Sequence, residues 1–408
     1  MPETQTHVMM AAMLLHPNDG TSPSAQEEWG LYIHLPWCVR KCPYCDFNSH
    51  RVPEHIPETR YVTALCQEME RASPRFQNRP LVSIFLGGGT PSLFSPVAIE
   101  RILKQARQSF SVATDIEVTI EANPGTAEAE RFKGYRDAGV TRLSLGVQSF
   151  DNERLLALGR IHTAEQARAA YRMGRDAGFL AINVDLMYGL PGQTLMGAQS
   201  DLAEALDFAP EHLSYYQLTL EEGTPFFRRP PMRPDETVLT YIEDMAWARF
   251  AAAGYERYEV SAYSKGIRNA CRHNLGYWRY KDYLGIGAGA HSKFRDPDGT
   301  RRQIRTRFPA SYLAAIESNQ TGYEERQLDQ AEIRFEFFLN ALRLREGFSP
   351  ELYQQQTGET FTSIAGMLRE LTDLGLLEVA DHNIRATGRG YAILDDVVAY
   401  FLPPQATG

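Results

Sequence analysis

The chain has 408 residues, 43% of them hydrophobic and 23% charged, with a formal net charge of -9; the length allows two or three domains, and the balance excludes a disordered or membrane-embedded chain. The acidic surplus argues against a surface that neutralises duplex phosphates, so nucleic acid is not an expected partner. Five cysteines are too few for a disulfide framework in so long a chain, and three of them fall between positions 38 and 45, a crowding that reads as metal ligation in a reducing compartment, the cytoplasm.

Residues 1–28 mix Pro, Ser, Thr, Gln and Asn with an apolar run at 9–15 and are expected to form a poorly ordered tail. No Lys or Arg precedes Arg40, so that run does not read as a secretory signal. No apolar stretch approaches the roughly 20 residues that cross a bilayer. From Leu31 onward, short apolar runs alternate with segments of helical period, the pattern of strand-helix units around a mostly parallel sheet. Strands are predicted at 31–35, 81–86, 116–120, 142–147, 181–186 and 213–218, with helices around Tyr61, Leu65 and Met69 and at 164–177. Six such units make an open α/β sheet or a partial barrel, and either architecture binds ligands at the C-terminal ends of its strands. This core is expected over 29–262, followed by a connecting segment at 263–325.

From 326 to 408 the period changes. Helices are predicted at 331–344 and 363–374, short strands at 376–379 and 384–386, and a last helix at 390–401, the outline of a winged-helix-like α+β module. Glu351, Glu359, Glu370, Asp373, Asp381, Asp395 and Asp396 make it acid-rich, so it reads as a lid or partner surface rather than a DNA reader.

The suggestive clusters all fall at strand ends. Cys38, Cys42 and Cys45 follow the first strand at C-x-x-x-C-x-x-C spacing. Three thiolates ligate three irons of a 4Fe-4S cluster and leave the fourth open; a zinc site completed by His34 or His50 is the alternative that spacing leaves standing. Cys66 reads as core. Gly87, Gly88 and Gly89 close the second strand, where bare backbone lets a ligand come close or simply turns the chain. Glu121 and Asp185, at the ends of the third and fifth strands, suit ribose hydroxyls or helix capping.

The stretch IHLPWCVRKCPYCDF at 33–47 resembles the cluster loop of radical S-adenosylmethionine enzymes, in particular the oxygen-independent coproporphyrinogen III oxidase group. GGGTPS at 87–92, EANP at 121–124, GVQSF at 146–150, LGRIH at 158–162 and NVDLMYGLPG at 183–192 resemble that group's motifs in the same order, so the resemblance runs from about residue 29 to the C-terminus. It implies a partial (β/α)6 barrel with a smaller C-terminal domain, and a 4Fe-4S cluster whose open iron chelates S-adenosylmethionine. It also implies site residues: Tyr32, Gly88, Gly89 and Thr90 near the methionine moiety and cluster with Tyr44 beside them, and Glu121, Gln148, Arg160 and Asp185 around the nucleoside and carboxylate. None is assigned a catalytic role.

Two features separate the branches of the group. Decarboxylating members carry a further cysteine where this chain has Phe47. CRHNLGYW at 271–278, followed by YLGIGAGAH at 283–291, resembles the H-N-x-x-Y-W signature of the HemW heme-chaperone family. That resemblance implies heme as cargo, with His273 as iron ligand and Tyr277 and Trp278 as flat apolar surface; on residue types alone they read equally as a loop hydrogen bond and core. Cys271 offers an alternative attachment point. The expected function is therefore to bind heme and pass it to an acceptor protein, with the respiratory chain as the acceptor's setting and peripheral membrane contact allowed. Coproporphyrinogen decarboxylation is the alternative, and an electron donor is implied wherever radical chemistry runs.

Overall fold

The structure is a computed structural model and describes residues 28–125 and 128–403; the expected tail lies, but for its last residue, outside the described residues. The chain forms two compact units, Glu28–Asp329 and a second that begins at Gln330.

The first unit is built on a twelve-stranded sheet. Its parallel strands are β1 (Trp29–Leu35), β2 (Leu81–Gly88), β3 (Val112–Ala122), β4 (Arg142–Gln148), β5 (Ala181–Tyr188) and β6 (His212–Gln217). These contain five of the six strands expected from the apolar runs and all but Leu218 of the sixth. The sheet continues with β7 (Glu256–Arg257), β8 (Ala262–Ser264), β9 (Asp282–Ile286), β10 (His291–Asp296), β11 (Gly299–Arg305) and β12 (Tyr323–Gln327). The spatial order is β12-β11-β10-β9-β1-β2-β3-β4-β5-β6-β8-β7. β9 pairs parallel to β1, from Trp29 against Asp282 to Ile33 against Ile286, so seven consecutive strands are parallel, flanked by antiparallel edges. The sheet stays open. The segment expected as a connector thus contributes strands β9, β10 and β11 and part of β12 to the sheet.

Alternation along each strand sorts residues onto two faces. Leu31, Ile33, Leu35, Ile84, Leu86, Val118, Ile120, Leu143 and Leu145 join one apolar core, covered by helices including Glu58–Ala72, Pro96–Ser109, Ala164–Asp176 and Leu195–Asp207. Side-chain caps start the last three: the Ser95 hydroxyl accepts from the Ala98 N–H, Thr163 and Gln166 form a reciprocal capping box, and the Thr194 hydroxyl accepts from the Gly197 N–H. The intervening positions carry Tyr32, His34, Glu117, Glu121, Ser144, Asn183, Asp185, His212 and Tyr216, a polar inner face in an otherwise apolar sheet.

The second unit runs helix Gln330–Ala341, helix Pro350–Thr357, helix Ala365–Asp373, then the hairpin Leu377–Ala380 and Asn383–Ala386. Asp381 and His382, both at positive φ, make its two-residue turn. The expected final helix is broken at Ile393 into Gly388–Ala392 and Leu394–Ala399. Phe401 stacks on Phe338 with ring centroids 3.5 Å apart. Among the described residues, no helix is long and apolar enough to cross a membrane.

Candidate cofactor site

β1 delivers the chain into the cysteine loop at the C-terminal rim of the sheet. Backbone bonds fix that loop: the Thr90 N–H donates to the Trp37 carbonyl at 2.8 Å, the His50 N–H to Pro36 at 2.7 Å and the Val52 N–H to Cys38 at 2.9 Å. Gly89 sits so close that a β-carbon there would lie 2.6 Å from the Trp37 carbonyl oxygen, which explains the need for glycine without any appeal to a ligand. Cys38, Cys42 and Cys45 are half-buried free thiols. Burial pushes the Cys38 and Cys45 thiols up, against hydrogen bonds from Thr90 and Ser49 to the first and from the Phe47 backbone to the second.

The three cysteines line a cavity of about 460 Å³ together with Tyr44, Gly88, Gly89, Thr90, Glu121, Gln148, Arg160 and Asp185. Residues from six separate stretches of chain therefore meet on one rim. Tyr32, expected among them, does not line it: its hydroxyl is bonded to His34 Nδ1 at 2.9 Å. Arg160 is the hub, donating from Nη2 to Asn123 Oδ1 at 2.6 Å and to the Gly146 carbonyl at 2.8 Å, and from Nη1 to Cys42 Sγ at 3.6 Å; its buried Nε has no partner. Gln148 holds a positive φ of 70° where β4 and β5 slip register, and its carboxamide oxygen accepts from the Tyr216 hydroxyl at 2.8 Å. Such strained, re-aimed positions collect at functional sites.

Two carboxylates share the floor of this cavity. Burial, then the neighbouring Asp185, pushes Glu121 up to about 7, although the Gly88 N–H donates to it. Asp185 is raised by burial too, against hydrogen bonds from Asn183, Ser214 and Ser144. Asn123, Ser144, Asn183, Ser214 and Tyr216 were not singled out as ligands from sequence. For Ser144, Asn183, Ser214 and Tyr216 the signal was present as polar residues alternating with apolar ones along β4, β5 and β6, which an apolar-run reading passes over.

The histidines that a zinc site would require are engaged elsewhere. His34 bonds Tyr32 and, through Nε2, the Asn48 carbonyl at 2.8 Å; His50 Nε2 donates to the Arg307 carbonyl at 3.2 Å. Among the described residues, no three His, Cys, Asp or Glu side chains converge on a single ion position.

His273 and its neighbours lie at the other end of the strands, on the helix Arg272–Trp278. The imidazole is buried at 3% exposure, with Nδ1 at 3.1 Å from Ser83 Oγ and Nε2 at 3.1 Å from the Tyr277 hydroxyl. Burial holds it at about 3, hence neutral. A second cavity of about 590 Å³ opens beside it, lined among others by Gly30, Ser83, Arg268, His273 and Tyr277. Trp278 does not line that cavity. Cys271 is buried with Sγ 3.5 Å from Glu117 Oε1, and its thiol is held far above the ordinary range by burial and by that carboxylate.

Comparison with known proteins adds names to these features. The Radical SAM superfamily matches residues 32–209, and the HemN C-terminal domain matches residues 328–393. A protein of Haemophilus influenzae named heme chaperone HemW is 43% identical over 379 residues, 91% of this chain and 97% of its own. The Escherichia coli protein of the same name is 43% identical over 377 residues, with the same coverage. Among solved structures, the coproporphyrinogen III oxidase HemN of Escherichia coli superposes with a TM-score of 0.78 at 22% identity, covering 92% of this chain and 90% of that one; the likeness concerns the fold.

Proposed function

Because the chain belongs to the HemW family of the radical SAM superfamily, we propose that it is a cytoplasmic heme chaperone, which binds heme and passes it to an acceptor protein, while carrying a 4Fe-4S cluster and an exchangeable S-adenosylmethionine. The observation that carries the cofactor part is the convergence of three free thiols with Glu121, Gln148, Arg160 and Asp185 on one cavity. The donor set suits both groups. Each thiolate holds one iron of a cluster, so they need not converge as zinc ligands must. Arg160, with its unpaired buried Nε, suits a ligand carboxylate, and Glu121 and Asp185 suit ribose hydroxyls. The bound cluster supplies one-electron chemistry and an open coordination position. The chain's own residues bind, orient and exclude water.

The heme part rests on the family and on His273, a neutral imidazole beside a large cavity. To ligate iron, its Nε2 must first release the Tyr277 hydroxyl, which then lies free to bond elsewhere. Phe47 occupies the position where decarboxylating members carry a cysteine, so the site lacks a side chain that porphyrinogen chemistry uses in that branch. The acceptor is a protein that takes up heme, in keeping with a respiratory setting; an electron donor enters only where the cluster is reduced.

An anaerobic titration of the reconstituted protein with heme, read at the Soret band, tests this directly. Near-stoichiometric binding is expected, with affinity lowered about tenfold or more in His273→Ala, while the Cys38/Cys42/Cys45 triple alanine variant loses its iron. No saturable binding would defeat the chaperone reading and turn attention to porphyrinogen substrates.

A further inference from the structure

Four glycines in this chain each clear space for one member of a single column of side chains. A β-carbon on Gly30 would lie 3.1 Å from the His273 ring, one on Gly87 3.1 Å from the Tyr32 ring, one on Gly88 2.5 Å from the His34 ring, and one on Gly289 2.1 Å from the Asn48 amide. These glycines sit on or beside β1, β2 and β9, and what they share is the column. The His273 and Tyr32 rings have centroids 6.2 Å apart and planes at 28°, and Phe85 flanks both, 5.2 Å from His273 and 6.3 Å from Tyr32. The Tyr32 hydroxyl reaches His34 Nδ1 at 2.9 Å, and His34 Nε2 reaches the Asn48 carbonyl at 2.8 Å. Asn48 in turn donates from Nδ2 to the carbonyls of Ala288 and Arg307, both at 2.9 Å.

The proton order along the column is determined. A carbonyl only accepts, so His34 Nε2 carries the hydrogen, Nδ1 is the acceptor, and Tyr32 donates to it. Burial lowers His34 to about 4, which keeps that single neutral tautomer. Asn48 is three residues beyond Cys45, and the amides of Ser49 and His50 that follow it bond back into the loop at Phe47 and Pro36. The column therefore starts at the cavity beside His273 and ends on the backbone that carries the cysteines.

We infer that Tyr32 and His34 are positioning residues, which transmit the placement of His273 to the cysteine loop and so couple occupancy of the His273 cavity to the conformation of the loop. The inference deepens the function proposed above and rests on it only for what the two ends hold. The link is physical: Tyr32, His34 and Asn48 are joined by hydrogen bonds and His273 meets Tyr32 through packed rings, so a displaced member presses on the next or enters the space a glycine has left.

Hydrogen exchange of the full-length protein, at the His50 and Val52 amides, tests the coupling. Gly30→Ala presses directly on His273 and Ser83, about 13 Å along β1 from His34, and leaves every bond of the column chemically intact. Tyr32→Phe keeps the ring and removes only the hydroxyl. Gly30→Ala is expected to speed exchange at the two amides about threefold to tenfold, and to have no such effect in the Tyr32→Phe background, a non-additivity typical of side chains in one network. A merely structural role for Tyr32 would instead give additive effects. An unchanged rate in Gly30→Ala, or the same increment in both backgrounds, overturns the coupling. Iron and sulfide assayed in the same samples report separately on the cofactor reading, so loss of one conclusion is not mistaken for loss of the other.

Discussion

Replacing Glu121 by Gln isolates the electrostatic cost built into the cofactor cavity. Glu121 is pushed from an ordinary 4.5 up to about 7 by burial and by Asp185. Between those values the folded chain keeps a proton that the unfolded chain has released, so stability is fullest below about 4.5 and falls as pH rises through 7. At about 1.4 kcal/mol for each pH unit, the window amounts to roughly 3 kcal/mol. Glu121→Gln holds no such proton, and its amide oxygen still accepts the Gly88 N–H. The unfolding free energy of the variant should therefore exceed that of the parent by nearly nothing at pH 4.5 and by roughly 3 kcal/mol at pH 8. Urea unfolding followed by tryptophan fluorescence is the assay, since Trp29, Trp37, Trp247 and Trp278 all lie in the first unit. Parallel pH curves for the two proteins would refute the reasoning and place Glu121 in a better solvated setting than its burial implies.

Gly89→Ala would place a methyl 2.6 Å from the Trp37 carbonyl oxygen and 2.8 Å from the Pro36 carbonyl carbon, against backbone that cannot yield; about 2 kcal/mol of destabilisation is expected in urea, with lowered iron content on reconstitution. Arg160→Met removes the bonds to Asn123 and Gly146, and calorimetry should show S-adenosylmethionine bound about tenfold more weakly. Arg305→Met takes from buried Glu68 its cationic partner, whose Nε donates to it at 2.7 Å, leaving the Gly287 N–H and the Tyr312 hydroxyl as its donors. A loss of roughly 3–5 kcal/mol in chemical unfolding is expected, partly recovered when Glu68→Gln is added.

The parallel strands were legible because their cores are runs such as Leu-Val-Ser-Ile-Phe-Leu and Val-Thr-Ile, buried on one face by helices of clear period. The antiparallel edge was not. β11 reads Gly-Thr-Arg-Arg-Gln-Ile-Arg and β12 reads Tyr-Glu-Glu-Arg-Gln; β12 suits an exposed edge strand, while β11, paired on both sides, buries polar side chains such as Gln303 and Arg305, so both resemble loops until pairing is seen. At the site, motifs placed Gly88, Glu121, Arg160 and Asp185 at the same rim because the strand ends bring them there. Tyr32 stands beside Glu121 and Gly87 rather than on the cavity wall for a local reason: it lies two residues before His34 on the same face of β1, and the imidazole captures its hydroxyl. His273 read as a loop histidine or a ligand, whereas its hydrogen bonds to Ser83 and Tyr277 require partners 190 positions away and four positions away, of which only the nearer is visible in sequence.

The positions of His273 and the cysteines bear on the choice between carrying heme and transforming a porphyrin. His273 faces Gly30 and Ser83 near the starts of β1 and β2, while the cysteines and Glu121 stand at or beyond the ends of their strands and Asp185 in the C-terminal half of β5. Each group lines its own cavity, and the body of the sheet and the Tyr32–His34 column lie between them. A porphyrin held at His273 is therefore kept from the atoms that cluster chemistry would present at the cysteine end. Oxidative decarboxylation demands contact between substrate and reactive atom; handover of heme demands only that the His273 end open and that its state be sensed. On that geometry, carriage at one end with cofactors at the other is the simpler use of this fold, and the side-chain column supplies the one connection that such a division of labour needs.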